Sequence, residues 1–430
     1  MKLLASVVGL ALLVAEQVAG LTPPDVASSV APCPGVVTRK EVRSLSPDEW
    51  NAYNSAVQSA YNDRWIDWFG FLHERVASVI HSNAVFLVYH RALTRDYEKI
   101  LQSYNPAVAV PYWNMMVDYQ NPAGSPVLSG SYFGGNGDAS SHCVTSGVAG
   151  SWQVTFPDVH CLRRVYGEAD TIDTWYSPEF ITSVLQRSTK YADLRAGLEN
   201  TIHGLPHLSL GGDMNTMHSP LDPIFWLHHA NIDRLYAQWQ AVNPDERTYM
   251  YDGNDIKNNA VSLTDYLTAT TTPVYEVMRL GYGNMCYTYD TLLAATDSSS
   301  LLKTRAKKCI KRPNKATQTV RKLPPKLVTK YFPSFSKSKV TNALENEMID
   351  FDPRQRMAAD NSTEVLAPLK ASENMRGKMP TARKLTDEYI MMMGSNATEV
   401  RYYESLADEM VKELNLEGYL SPYLIDLLDK

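Results

Sequence analysis

The sequence predicts a mainly α protein, helix packed on helix, with long loops and a helical C-terminal extension. Three stretches carry that reading. Ser46-Pro47-Asp48-Glu49 is a helix start: Ser46 can cap, Pro47 fits the first turn, and the acids favour the positive end. Trp65 to Leu101 places apolar residues at helical spacing, although no single helix need run through it. Asp222 can cap a helix that continues to Gln240, with Pro223 at its first position.

The rest follows in chain order. Lys2, the apolar run Leu3 to Ala15 and the small residues Val18, Ala19 and Gly20 read as an export signal over residues 1–20. The run is too short to span a bilayer, and no other stretch is long and apolar enough. Residues 40–115 look helical. Residues 121–170, rich in Gly, Ser and Asn, read as a long ordered loop region. Helical pattern returns from about Phe180 to Ile202 and again in Asp222 to Gln240. Between Ser298 and Asn342 stand thirteen lysines and arginines and no acid, with Pro324-Pro325, so 298–342 reads as an exposed, solvated strap. Thr386 to Leu428 is amphipathic and helical again. The expected organisation is a core over 21–297, the basic linker 298–342 and a helical extension 343–430.

With 430 residues the chain can bury a substantial core, and a net charge of -6 gives no pull toward nucleic acid. Export places it where disulfides persist. Its five cysteines cannot all pair within one chain. Cys143 and Cys161 suit a loop staple, and Cys33 with Cys286 would tie the mature N-terminus to the end of the core. Asn361-Ser-Thr and Asn396-Ala-Thr are glycosylation sequons consistent with export.

The chain has ten histidines, and seven fall into two clusters: His73, His81 and His90, then His203, His207, His228 and His229. His203 and His207, four apart, share one face of a helix and can converge on one ion. A third ligand can come from the Asp222 to Gln240 helix. Its adjacent histidines point about 100° apart, so only one of them is expected to ligate. His81 and His90 lie about half a turn out of phase on a continuous helix, so one must sit at a helix start or in a loop. Neutral imidazoles suit copper, zinc, iron or nickel. Glu199 and Asp233, each four residues from a histidine, are not excluded as ligands by spacing. Three histidines per ion, given twice, suit a coupled copper pair sharing one dioxygen.

These residues carry a family resemblance. His81-Ser-Asn-Ala-Val-Phe-Leu-Val-Tyr-His90-Arg91, ending at Glu98, resembles the copper A signature of tyrosinases. Asp222-Pro-Ile-Phe-Trp-Leu-His-His229-Ala-Asn-Ile-Asp233 resembles their copper B signature. His203-Gly-Leu-Pro-His207, with Gly211-Gly212-Asp213-Met214 after it, resembles the remaining copper B ligand segment. The short gap from His73 to His81 is similar to short fungal tyrosinases. Thr38 to Ser46, Pro111-Tyr112-Trp113-Asn114, Tyr282 to Tyr289 and the tail Leu385 to Pro422 extend the likeness over most of the mature chain. The resemblance implies a four-helix-bundle core holding two copper ions. His73, His81 and His90 would hold one; His203, His207 and His229 would hold the other, the second of the paired histidines being the ligand. The implied activity is oxidation of o-diphenols to o-quinones with O2.

Three departures shape the expectation. Tyr89 stands where the copper A signature has Phe or Trp. No cysteine lies two residues before His81, so the thioether bridge of many fungal members is absent. Gly204 follows the first copper B ligand where some monophenol-hydroxylating members carry Asn, which with a Glu holds a water that deprotonates the phenol. Glu199 is the candidate for that Glu. Without the Asn, diphenol oxidation is the firmer expectation. The alternatives are a catechol or o-aminophenol oxidase without monophenolase activity and a haemocyanin-like oxygen carrier. Asp233 is a candidate to hold a ligand histidine's second nitrogen. The C-terminal extension is a candidate cover for the active site, as in some fungal members, with Lys311-Arg312 resembling a processing pair.

Overall fold

A computed structural model describes residues 29–292, 325–332, 378–419 and 421. The export signal, Cys309, Lys311-Arg312, the Asn361 sequon and most of the basic segment lie outside these residues.

Ser46 opens helix α1 (Pro47–Asn62) with a reciprocal capping box, its hydroxyl accepting from the Glu49 amide while the Glu49 carboxylate accepts from its own amide. Helices α2 (Trp65–Ile80) and α3 (Val85–Tyr104) follow. Helix stops at Tyr104 rather than continuing to 115, because Asn105 precedes Pro106 and takes extended dihedrals. His81 lies in the break after α2, with an extended backbone.

The stretch read as one helical pattern to Ile202 is three segments, α4 (Pro178–Arg187), α5 (Tyr191–Gly197) and a π-helical turn (Leu198–His203), running on into α6 (Gly204–Leu210). The break has a long-range cause. The Ser188 carbonyl, which would continue α4, is taken by the indole N–H of Trp239 at 2.7 Å. Helix α7 (Pro223–Val242) starts as expected, with Asp222 accepting from the Ile224 amide.

Helices α2, α3, α7 and the π/α6 segment form the bundle. Trp226 of α7 stacks on Tyr97 of α3 at 3.9 Å, and Phe69 of α2 meets both rings edge-on. Such rings bury roughly 150–250 Å² each and dominate core energetics. Two short ladders trim the bundle. Strand β1 (Val37–Arg39) runs parallel to β4 (Tyr287–Tyr289); β2 (Gln153–Val154) runs antiparallel to β3 (His160–Cys161). Both expected disulfides form, Cys33–Cys286 beside the first ladder and Cys143–Cys161 beside the second. Residues 121–170 are otherwise ordered loop with short 3₁₀ turns.

Asp233 does not hold a histidine. Its Oδ1 accepts from Arg91 at 2.5 Å and its Oδ2 from the hydroxyls of Tyr287 and Tyr289 at 2.5 and 2.7 Å. Arg39 also pairs with Asp233 and forks onto Glu98 at 2.9 and 3.2 Å. All of these side chains are buried. The hub ties α3, α7, β1 and β4 together.

The strap reading of 298–342 fails for part of that span. Residues Pro325–Tyr331 form helix α8, and Leu327, Val328, Tyr331 and Phe332 are buried, with the Tyr331 carbonyl accepting from Ser183. An apolar face every three to four residues docks this piece while its lysines stay outside. Helices α9 (Asp387–Met392) and α10 (Ala397–Leu416) confirm a helical extension. It packs on the core: Glu399 of α10 meets Arg195 and Asn200, and Tyr419 donates to buried Glu179. Among the described residues, no helix is long and apolar enough to cross a membrane.

Candidate metal centre

Seven buried histidines converge inside the bundle. His73 sits on α2, His81 just beyond its end and His90 on α3. Their rings are 5.0 to 5.4 Å apart, and one nitrogen from each lies within 4.8 Å of the other two. Each Nδ1 faces a backbone carbonyl: Met217 for His73 at 2.6 Å, Ala77 for His81 at 2.9 Å and Phe86 for His90 at 2.8 Å. A carbonyl can only accept, so the proton sits on Nδ1 and each Nε2 offers a lone pair. His73 Nε2 and His90 Nε2 stand 3.2 Å apart. Two lone pairs facing at that distance repel unless a cation takes both.

Burial pushes His81 and His207 down to about 4. Burial and neighbouring imidazoles push His73, His90, His203, His228 and His229 well below the ordinary range. All seven are therefore neutral near pH 7, the form that ligates metals.

The second cluster is less symmetrical. His203 ends the π turn and His207 lies on α6, their rings 4.7 Å apart. The Met214 carbonyl accepts from His207 Nδ1 at 2.7 Å. By mutual nitrogen distance the third member is His228, not His229. His228 Nε2 donates to the His203 carbonyl at 3.1 Å and its Nδ1 has no partner, while both nitrogens of His203 and of His229 lack one, so each of these three rings has a nitrogen open to an ion. Leaving one buried polar group unpaired costs about 1–3 kcal/mol. His229 also stacks on His90 at 4.4 Å, between the two triads.

Two aromatic rings that sequence reasoning missed line the seam. Phe86 lies 4.7 Å from both His90 and His203; Phe225 lies 4.2 Å from His229 and 5.4 Å from His73. Each precedes a histidine by four residues on the same helix face, so helical periodicity held the signal.

One loop serves both triads, since the Met214 and Met217 carbonyls that orient His207 and His73 lie three residues apart. Gly211 and Gly212 open it with positive φ, where a Cβ would collide with the carbonyl oxygens of Val165 and Arg163. Asp213 anchors it, accepting from the Arg163 amide at 2.8 Å and from His160 at 3.1 Å. His218 fixes the far end through Glu74 at 2.8 Å. Asp213→Ala is expected to weaken metal binding at both triads by about 10–100-fold. Chelator competition measures this; an unchanged affinity at either triad would show that Asp213 does not position the loop.

Glu199 spends both oxygens. Oε1 accepts from the Ser82 amide at 2.6 Å and Oε2 from Arg195 at 3.1 Å. Burial pushes its carboxyl up to about 7, against the opposing pull of Arg195 and the Ser82 amide. A Cβ on Gly204 would sit 3.1 Å from Leu385 and from Tyr389. The C-terminal segment thus closes over the position next to His203.

It also closes the mouth. Only a narrow cavity remains beside the triads. Tyr389, Met392 and Met393 wall it together with His73, His81, His203 and His207. Ser82 pins this cover, donating to the Met393 carbonyl at 3.0 Å and lying 2.8 Å from the Ser395 hydroxyl.

Comparison with known proteins agrees with this architecture. Residues 49–242 match the common central domain of tyrosinase. The tyrosinase ustQ of Aspergillus flavus is 31% identical over 289 residues, covering 60% of this chain and 80% of that protein. A Streptomyces lincolnensis tyrosinase is 31% identical over 229 residues, 48% of this chain and 83% of that one. A polyphenol oxidase structure from Thermothelomyces thermophila aligns with a TM-score of 0.46 at 21% identity, over 59% of this chain and 88% of that chain. The matched segment contains every histidine of both clusters, and the relatives align over about four-fifths of their own length. This chain belongs to the tyrosinase family.

Proposed function

We propose that the protein is a secreted dinuclear copper oxidase that converts o-diphenols to o-quinones with O2. The observation that carries this reading is the pair of lone pairs on His73 and His90, 3.2 Å apart in a fully buried, all-imidazole centre. Only a cation reconciles them, and neutral nitrogen donors suit copper. His73, His81 and His90 would hold one ion. His203, His207 and His229 would hold the other: both nitrogens of His229 are buried without a partner where His228 has one satisfied by the His203 carbonyl, and the second of the paired histidines is the ligand in the copper B signature that this segment resembles. When bound, the copper pair supplies two-electron redox chemistry with O2.

The chain's own residues do the rest. The carbonyls of Met217, Ala77, Phe86 and Met214 lock four imidazoles in the tautomer that exposes Nε2. Phe86 and Phe225 exclude water from the seam. Gly204 offers no side-chain oxygen or nitrogen to hold a water, and Glu199 is engaged with Ser82 and Arg195. With no side chain at 204 to share a water with Glu199, the pair that would take a phenol's proton is incomplete, which favours diphenol oxidation over monophenol hydroxylation. Glu199 is then a positioning residue that joins the His81 break to the π turn. Export is part of the proposal, supported by the N-terminal apolar run and the two disulfides. So is latency, supported by the narrow cavity under Tyr389, Met392 and Met393.

One experiment tests these readings together. Copper-loaded protein is given L-DOPA and L-tyrosine separately, before and after cleavage that releases residues 378–419. Quinone is expected from L-DOPA, at least tenfold faster after cleavage, and little from L-tyrosine. No quinone from either substrate in either state would sink the oxidase reading. Equal rates with L-tyrosine would sink the diphenol preference, and equal rates before and after cleavage would sink latency.

A further inference from the structure

Four methionines share the cavity with the histidines. Met214 and Met217 come from the bracing loop, Met392 and Met393 from the end of α9. Methionine makes up 16 of 430 residues in the chain but four of the eleven that line this cavity, an enrichment of about tenfold. Exposure of these side chains ranges from 39% at Met392 through 9% at Met393 to 0% at Met214. Thioethers that reach the surface and thioethers that are fully buried thus line one cavity with His73, His81, His203 and His207.

Thioether sulfur is soft, neutral and weakly ligating. It favours Cu(I) over Cu(II) and over harder ions, and it has no proton to lose. Neutral imidazoles clustered three at a time bind more tightly, so an ion handed along the sulfurs moves downhill into the triads. No electron is transferred: one Cu–S contact is exchanged for the next, then for Cu–N. An apolar plug would also explain large flexible side chains here, but leucine would serve that purpose equally well.

We propose that Met392, Met393, Met217 and Met214 form a transient Cu(I) route from solvent into the histidine centre. This rests on the copper reading of that centre, and the test separates the two.

Copper-free full-length protein and the double variant Met392→Leu/Met393→Leu are mixed anaerobically with Cu(I) in acetonitrile, and separately with Cu(II). Copper bound per chain is followed over time after rapid desalting. Leucine keeps the volume and apolarity of the plug and removes only sulfur. The variant is expected to take up Cu(I) at least tenfold more slowly, to reach the same final content, and to take up Cu(II) at the wild-type rate. Uptake of Cu(I) at the wild-type rate, or equal slowing for both ions, would overturn the route while leaving the copper centre intact. If the wild-type chain takes up neither ion, the copper centre and the route fall together. The single variant Met392→Leu, at an exposed position, gives the same comparison at reduced amplitude should the double variant fold poorly.

Discussion

Asp233→Ala is expected to cost about 3–5 kcal/mol of folding stability, the usual penalty for removing one partner of a buried ion pair. It would leave Arg39 and Arg91 buried with a missing counter-charge, and the hydroxyls of Tyr287 and Tyr289 without their acceptor. The shift per kcal/mol shrinks with chain length and is about 2 °C or less for a protein larger than about 250 residues, so the melting temperature should fall by roughly 5 °C. Thermal unfolding followed by circular dichroism reads this directly. A melting temperature within about 2 °C of wild type would mean that the hub does not hold α3, α7, β1 and β4 together.

The same carboxylate gives a pH dependence. Burial raises its pKa, but Arg91, Arg39 and the hydroxyls of Tyr287 and Tyr289 together outweigh burial and the net shift is downward. A group depressed in the folded state stabilises fully above its unfolded value of about 3.9 and loses that contribution as pH falls through its folded value. Acid unfolding of the wild type should therefore include a step below about pH 4 that Asp233→Ala lacks.

The second large effect separates the paired histidines. His229→Ala is expected to lose one metal ion and to lower catechol oxidation by about 10³-fold, equivalent to roughly 4 kcal/mol. With His229 as the ligand, His228→Ala removes a contact to the His203 carbonyl and a ring packed on His203 and His207, so both ions should remain and the rate should fall by a small factor. Metal content and rate measured on both variants decide between them. The opposite pattern would make His228 the ligand, as the nitrogen distances alone suggest.

What was legible in the sequence was local. The capping box at Ser46, the start of α7 at Asp222, the break containing His81 and the faces carrying the histidines follow from capping chemistry and a 3.6-residue period. What was hidden depends on partners far along the chain. The α4 break is set by Trp239, 51 residues beyond Ser188. Asp233 finds Arg39 across 194 residues, and Ser82 meets Met393 across 311. No periodicity reveals such pairings. The α8 segment was misread for a related reason: its lysines dominate the composition, while Leu327, Val328 and Tyr331 decide where it docks. Phe86 and Phe225 were within reach, four residues before His90 and His229, had every ring beside a histidine been projected onto its helix.

Occupancy of this buried imidazole centre by two copper ions is tested most directly by the copper content of the purified full-length chain, with electron paramagnetic resonance of the oxidised form. Two coppers per chain and no signal are expected, because the two spins would be coupled across adjoining triads. One copper per chain with an isolated Cu(II) signal, or zinc retained in preference to copper, would contradict that occupancy.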